Sequence, residues 1–340
     1  MTDRLDQRRM VKLIERFAQL RLLVVGDVML DEYLWGDVDR VSPEAPVPVV
    51  HVERESLALG GAGNVVRNIV AMGAECAVCS VIGNDWAGDR VIDLFTDLGV
   101  DPSGVIRVGD RPTTRKTRVE ARSQQMLRFD RETDDPISPS TSRLLLRAVD
   151  AALPGVQGVI LEDYGKGVLP VRVLRAAMRR FNQAELPVAV DPKTSISPYR
   201  GADLFKPNLR EVSALTGVRI RSERELYRAV ARLRRRMGQG DIVITRGSDG
   251  MTIFQGDASP VDVPIARSEV FDVQGAGDTT IAALALTRLA GGNLLEAAVV
   301  ANTAAGVVVG KVGTATANPE EIVALLPAAI AAARALRRQS

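Results

Sequence analysis

Histidine, cysteine and aromatic residues are all scarce in this chain, and each scarcity removes a class of chemistry. His51 is the only histidine in 340 residues. That excludes a zinc site of the usual Cys/His composition, and a Ser-His-Asp relay unless His51 is its base. The two cysteines form one C-x-x-C, Cys76 to Cys79, in the apolar run AECAVCSVIG. Residues three apart on a strand point to opposite faces, so the pair can neither chelate nor bridge and reads as two buried thiols. No run of 18 uninterrupted apolar residues occurs, so no transmembrane helix is expected. A surplus of one charge is missing as well: 44 Lys and Arg stand against 42 Asp and Glu, a net charge of +2. A dedicated nucleic-acid binder needs a basic surplus on one face and interleaved aromatics, and aromatics make up 4% of this chain. The N-terminus MTDRLDQRRMVKLIERFAQL mixes acids with bases and lacks a signal-peptide core, which points to the cytoplasm and away from a membrane.

What is present is an alternation. At 46% hydrophobic and 25% charged, the chain can bury a large core. Val11, Ile14, Phe17 and Leu20 fall at helical spacing and predict a first helix packed on the body. From residue 21 onward, β-like apolar runs alternate with helical patterns. LRLLVVGD (20–27), AVCSVIG, GVIL (158–161), VAVD (188–191), LFKPN (204–208) and DIVITRG (241–247) read as strands. GNVVRNIVAMG (63–73) and RVIDLFTDLG (90–99) read as helices, each ending at a glycine. Continuous Val/Ile/Leu strands separated by helices imply one mostly parallel sheet with helices on both faces, in a single domain spanning 1–340 with its core at about 20–330. Two stretches break the rhythm. Residues 31–55 show no helix pattern and end in the alternating VPVVHVER, and residues 112–131 read as a hairpin turning near Ser123-Gln124. Both predict antiparallel excursions, a small β-lid over the sheet.

Two glycine turns could carry chemistry. In VFDVQGAGDTTIAALAL (270–286), Gly275-Ala276-Gly277-Asp278 opens a long apolar helix. Successive N–H groups at a helix N-terminus, with the helix dipole behind them, form an anion site that glycine lets a phosphate approach. Asp278 would then present a carboxylate beside the anion, able to accept a proton from an attacking hydroxyl; an ordinary helix cap would explain it too. GGAGN (60–64) lacks the third glycine of a dinucleotide fingerprint, since Val66 stands there, and no G-x-x-x-x-G-K-[ST] occurs. The turn either binds a polyhydroxylated ligand or starts a tightly packed helix.

GGAGN followed by a helix, with D-x-x-G-A-G-D some two hundred residues later, resembles the ribokinase family of PfkB-type carbohydrate kinases, over residues of about 20 to 330. The resemblance implies a ribokinase-like fold, ATP and Mg²⁺ as cosubstrate and cofactor, and transfer of a phosphoryl group to a sugar hydroxyl. It implies that Asp278 is the general base and that Gly275, Ala276 and Gly277 form the anion hole. KPNLRE (206–211) is similar to the family's N-x-x-E motif, which assigns Asn208 and Glu211 to the ATP phosphates and magnesium, Glu211 reaching the metal directly or through water. ITRGSDG (244–250) resembles the nucleotide loop, with Thr245, Gly247 and Gly250 at the phosphates or base, and Asn302 lies where the family closes its adenine pocket. Asp31, Gly60, Gly61 and Asn64 are implied to read sugar hydroxyls. Val273 departs from the threonine that many members carry after Asp272 and removes a hydroxyl from that loop.

The lid bears on the choice of sugar. Residues 111–131 hold Arg111, Arg115, Lys116, Arg118, Arg122, Arg128 and Arg131 against two acids. Lys116, Arg118 and Arg122 share a strand face in this reading, and Arg128 returns to it across the hairpin. A substrate that already carries a phosphate needs such a cluster, whereas an edge hairpin charged against aggregation would also show one. RPTTRKTRVEARSQQMLRFDRE, RVSPEAPVPVV and LEDYGKGVL resemble, within the family, the D-glycero-β-D-manno-heptose-7-phosphate kinases of lipopolysaccharide precursor synthesis. That resemblance implies phosphorylation of the anomeric hydroxyl, with Lys116, Arg128 and Arg118 on the 7-phosphate. Asp163, Lys166 and Lys193 would lie near the transferred phosphate, its magnesium, ATP or the sugar phosphate, or are solvated loop charges. Bifunctional relatives continue into an adenylyltransferase; this chain ends at ALRRQS, which reads as the stand-alone kinase. The lids of related kinases imply a homodimer. A nucleotide-sensing protein without turnover would have no use for an intact GAGD.

Overall fold

The computed structural model describes residues 5–122, 124–193, 195–265, 272–311 and 313–337. The predicted N-terminal helix is α1 (Gln7–Glu15), prolonged by a 3₁₀ turn that buries Phe17. Next come β1 (Arg21–Gly26), β2 (Val28–Val41), β3 (Pro48–Gly61), α2 (Ala62–Ala71), β4 (Glu75–Gly83), α3 (Trp86–Asp97) and β5 (Val105–Val108). The second hairpin is β6 (Arg115–Ala121) and β7 (Gln124–Arg131), followed by α4 (Pro139–Ala152), β8 (Gly158–Glu162), α5 (Val171–Gln183), β9 (Val188–Asp191) and β10 (Leu204–Phe205). The last third holds α6 (Leu209–Thr216), α7 (Glu223–Met237), β11 (Asp241–Thr245), β12 (Met251–Phe254), β13 (Val261–Val263), α8 (Ala276–Leu289), α9 (Leu294–Val309) and α10 (Pro319–Arg337).

Among the described residues, nine strands form one sheet in the order β13-β12-β11-β10-β9-β8-β1-β4-β5, and only β12 runs against the others, pairing antiparallel with β11 and β13. The helices divide between its faces, which is why the strands are apolar throughout. Leu22 and Val24 of β1 join the core shared with α2, α8 and α9, whereas Leu23 and Val25 join the one shared with α4, α5 and α7. The cysteines follow the same rule: Cys76 packs on the first side and Cys79 lies in the second. Burial pushes both thiols up, Cys79 to about 12, so they act as small apolar side chains.

The lid is a second sheet, β3-β2-β6-β7. Each hairpin is antiparallel as expected, but the two meet along a parallel β2–β6 pair that the sequence reading did not contain. LFKPN also proves shorter as a strand: β10 has two residues, and the chain resumes pairing only at an Asn208–Thr245 bridge. One residue, Asp27, separates β1 from the lid. Its carboxylate accepts the backbone N–H groups of Tyr164, Lys166 and Val168 at 2.8, 3.2 and 3.1 Å and so shapes the loop after β8. Burial is the main reason its pKa rises to about 6 despite those three bonds. β3 returns to the core through Gly61, whose φ of 55° and 2.4 Å spacing from a built Cβ to the Asp27 carbonyl leave room only for glycine. The lid thereby overhangs the C-terminal ends of β1, β8, β9 and β10, where ligands of open α/β sheets bind.

Candidate active site

The GAGD turn stands between two cavities. One, of about 420 Å³, is lined by Ala276 and Gly277 on the turn and by Asn208, Thr245, Gly247, Gly250 and Asn302. The other, of about 380 Å³, is lined by Gly275 and Asp278 on the same turn. Its remaining walls include Asp31, Gly61, Lys116, Arg118, Arg128, Tyr164, Lys166 and Lys193. The first group was assigned from the sequence to the nucleotide and most of the second to the sugar, and the turn separates them as a single backbone partition.

Asp278 is not a helix cap. The N-cap of α8 is Gly275, with φ 74° and no side-chain cap. The Asp278 carboxylate is buried and turned sideways, where Oδ2 accepts from Asn64 Nδ2 and Oδ1 from the Tyr164 hydroxyl, each at 2.7 Å. Burial raises its pKa, and the two hydrogen bonds and the Lys206 ammonium hold that rise back. A carboxylate raised in this way is more basic than one in water, which suits a proton acceptor. Beneath the turn, the Lys206 ammonium lies 2.6 Å from Asp191 and 3.8 Å from where a Cβ on Gly277 would stand. Burial opposes the Lys206 charge, but Asp191 and Glu162 outweigh it and raise its pKa. Burial also lifts Asp191 to about 7 and Glu162 well above the ordinary carboxylate range, and Glu162 Oε2 has no hydrogen-bond partner among the described residues. One buried cation therefore serves a floor of carboxylates beneath the glycine turn.

The lid face over the second cavity is built in cross-strand rows. Asp31, Lys116 and Asp130 stand opposite one another, as do Tyr33, Arg118 and Arg128. Arg118 donates to Asp31 at 2.7 Å with both side chains buried. Lys116 lies 3.3 Å from both Asp130 and Glu132, and Lys166 lies 2.6 Å from Glu132. The basic cluster is thus matched by acids, two of which, Asp31 and Glu132, lie outside the stretch in which the sequence reading counted charge. Arg118 also stacks on Tyr33, which stacks on Trp35 at 5.6 Å, with Arg54 on the far side. Tyr33 in turn donates to Gln274, one residue before the glycine turn, at 3.0 Å.

The profile of the pfkB family carbohydrate kinases matches residues 19–321. The chain belongs to this family. It is a sugar kinase, a phosphotransferase. The bifunctional protein HldE of Pelobacter propionicus is 44% identical over 320 residues, covering 94% of this chain and 66% of that protein. The HldE of Paramagnetospirillum magneticum is 46% identical over 319 residues, covering 92% of this chain and 65% of that protein. The chain therefore spans just under two thirds of these relatives. Among solved structures, ribokinase of Arabidopsis thaliana complexed with ribose and ATP has a TM-score of 0.71 at 21% identity, covering 90% of this chain and 98% of that one. Phosphofructokinase-2 of Escherichia coli in complex with potassium has a TM-score of 0.74 at 18% identity, over 91% of this chain and 99% of that one. Both show the ribokinase-like α/β fold.

Against this pfkB frame, several assignments made from the sequence change. Asn64 is fully buried and does not line the second cavity; its amide is committed to Asp278. Gly60 does not line it either, and its role is to make room for Asp31, whose Oδ2 would stand 2.3 Å from a Cβ there. Asp163 is buried under the loop after β8, where it accepts from the Gly165 N–H and the Tyr199 hydroxyl. Glu211 forms a capping box with Asn208 at the start of α6, so the N-x-x-E spacing is also that of a helix N-terminus. Its second oxygen lies 3.5 Å from Lys193, which itself lines the second cavity rather than the first. Arg122 has left the cluster, sitting past the end of β6 at φ 49° and pairing with Asp37. Tyr164, Lys206, Asp191 and Asp27 carry no assignment from the sequence, though each lies inside a stretch quoted there: LEDYGKGVL, KPNLRE, VAVD and LRLLVVGD.

Proposed function

We propose that this kinase uses ATP to phosphorylate the anomeric hydroxyl of D-glycero-D-manno-heptose 7-phosphate, giving the 1,7-bisphosphate for lipopolysaccharide precursor synthesis. The observation that carries the reading is the shared partition: Asp278 faces one cavity and the amides of its own turn face the other. ATP would lie along Asn208, Thr245, Gly247, Gly250 and Asn302 with its γ-phosphoryl at Gly275 to Gly277. The sugar would lie under the lid with a hydroxyl at Asp278. That oxygen attacks the γ-phosphorus while its proton passes to Asp278, the bond to the bridging oxygen breaks, and ADP leaves. Asp31 and the Gly61 backbone would hold ring hydroxyls. Lys116, Arg118 and Arg128, joined by Lys166, would hold the 7-phosphate, which would take the place of Asp130 and Glu132 as the partner of Lys116, Arg128 and Lys166. Kinship with proteins named HldE supports the heptose assignment.

Mg²⁺ fits this site in one respect. Among the described residues no three His, Cys, Asp or Glu side chains form a cage. Mg²⁺ seldom uses one, being held by one or two carboxylates, waters and substrate phosphates. Glu211, through water, and Asp191 are the carboxylates that would hold it. It would neutralise phosphate charge there.

The test is an ATP-coupled assay over a panel of sugar phosphates and free sugars, with the position of the new phosphate determined in the product. Turnover confined to heptose 7-phosphate, with Lys116→Ala raising its KM about tenfold and leaving that for ATP unchanged, is the expected result. Turnover only on fructose 1-phosphate would replace it with a phosphofructokinase reading.

A second copy of the chain is the proposed partner of the lid. Leu127 and Phe129 alternate with Arg128 and Asp130 along β7, so they point away from the cavity, and both are exposed. Light scattering should give a dimer that Phe129→Asp converts to a monomer; a wild-type monomer would remove the proposal. No described helix is long and apolar enough to cross a membrane.

A further inference from the structure

Arg67 is a half-buried cation close to the site that neither cavity exposes. It lies one turn after Asn64 on α2, and its two terminal nitrogens reach different partners. Nη1 donates to Asn64 Oδ1 at 3.2 Å and Nη2 donates to the Thr314 carbonyl at 3.1 Å. No carboxylate lies within ion-pair distance of it among the described residues, so its charge is held by these two oxygens and by groups farther off. Burial lowers its pKa, while Tyr33, Asp31 and Asp278 work the other way.

The geometry matters because an asparagine amide has two ends of nearly equal shape. If Asn64 turned over, its oxygen would face the Asp278 carboxylate and its NH₂ would face the guanidinium, acceptor against acceptor and donor against donor. Arginine can only donate, so its presence on one side commits the NH₂ to the other. A charged donor on Oδ1 also polarises the amide and strengthens the bond it makes to Asp278. Gly275 packs against the same amide, a built Cβ lying 2.7 Å from Nδ2, so the orientation of Asn64 is read directly by the turn that binds the phosphoryl group. The second bond fixes Thr314, which lines the sugar cavity.

We propose that Arg67 is a positioning residue for phosphoryl transfer: by fixing the Asn64 amide it keeps an N–H donor on Asp278 Oδ2 and so holds the carboxylate in its orientation toward the attacking hydroxyl. This rests on the reading of Asp278 as the base. Arg67 does not touch the reacting atoms, and its contribution should appear in kcat and vanish once Asn64 is gone.

The experiment is a double-mutant cycle of Arg67→Ala and Asn64→Ala, with kcat and both KM values measured for each variant and folding checked by thermal melting. Each single variant should lose about 10- to 100-fold in kcat, with the KM for ATP unchanged within about twofold, as for other residues that orient a reacting group from behind. The double variant should be no slower than the slower single one. Arg67→Lys, which keeps the charge and one donor, should recover part of the loss; it also replaces Arg67→Ala in the cycle if that variant does not fold. Losses that multiply in the double variant, or a normal kcat in a folded Arg67→Ala, would overturn the proposal. Asp278→Asn separates the two ideas: if it still turns over, the general-base reading is wrong, and if it is inactive while the cycle is additive, only the part given to Arg67 is wrong.

Discussion

Asp278→Asn will bind ATP with nearly unchanged affinity and lose about 10³-fold in kcat, the scale on which a general base contributes. The substitution keeps the shape of the side chain and leaves one oxygen to accept from either Asn64 or Tyr164, so the turn should stay folded. It removes the group that takes the proton. The two substrates should separate cleanly, because the nucleotide wall of the partition is backbone from Ala276 and Gly277, which the substitution does not alter. Isothermal titration with an ATP analogue and a coupled assay check both halves, and near-normal turnover would end the assignment. The pH profile of the wild type gives a second reading. Burial raises the Asp278 pKa, and the base works only when ionised, so activity should fail on acidification at a higher pH than an ordinary carboxylate would give. An acidic limb at or below pH 4 would contradict this.

Lys206→Met should destabilise the protein by about 3 kcal/mol or more at pH 8, because it leaves Asp191 buried without its partner and Glu162 beside it. The sign of the pH dependence follows from the carboxylates. Asp191 already titrates near 7 in the fold against 3.8 outside it, so its protonated form favours the folded state at low pH and that contribution fades as pH rises through about 7. Without Lys206 the burden of an ionised Asp191 grows, and the gap between variant and wild type should be wide at pH 8 and narrow toward pH 5. Denaturant melts at the two pH values measure it. A constant gap would show that the lost contact is packing and not charge. Turnover should fall too, since the ammonium lies under the anion hole.

The layered α/β core was legible because its signals are local: Leu22 to Val25 must be apolar when helices cover both faces, and a glycine must end α3. The glycine turn that stands between the two cavities was legible for the same reason, since Gly275 to Asp278 are adjacent in sequence. What stayed hidden is pairing across distance. Asn64 and Asp278 are 214 positions apart, and nothing in GGAGN says that its amide faces a carboxylate rather than a sugar. The lid charges misled in a related way. Counting 111–131 gave a basic surplus, but β2 pairs with β6 in parallel and delivers Asp31 into the same row as Lys116. Lys206 was passed over within KPNLRE because a lysine after a strand normally reaches solvent, and only the fold turns it inward against Asp191.

The lid is attached to the body in only two places, between β1 and α2 and between β5 and α4. Every side chain reaching the sugar cavity from above comes from those two insertions, while the partition and the nucleotide wall belong to α6, β11, α8 and α9. Under the proposed reading, acceptor choice would be carried largely by those two insertions and phosphoryl donor by other segments of chain. Exchanging the two hairpins, together with the body residues Tyr164, Lys166 and Lys193 that share the cavity wall, should then shift acceptor preference and leave the nucleotide side in place.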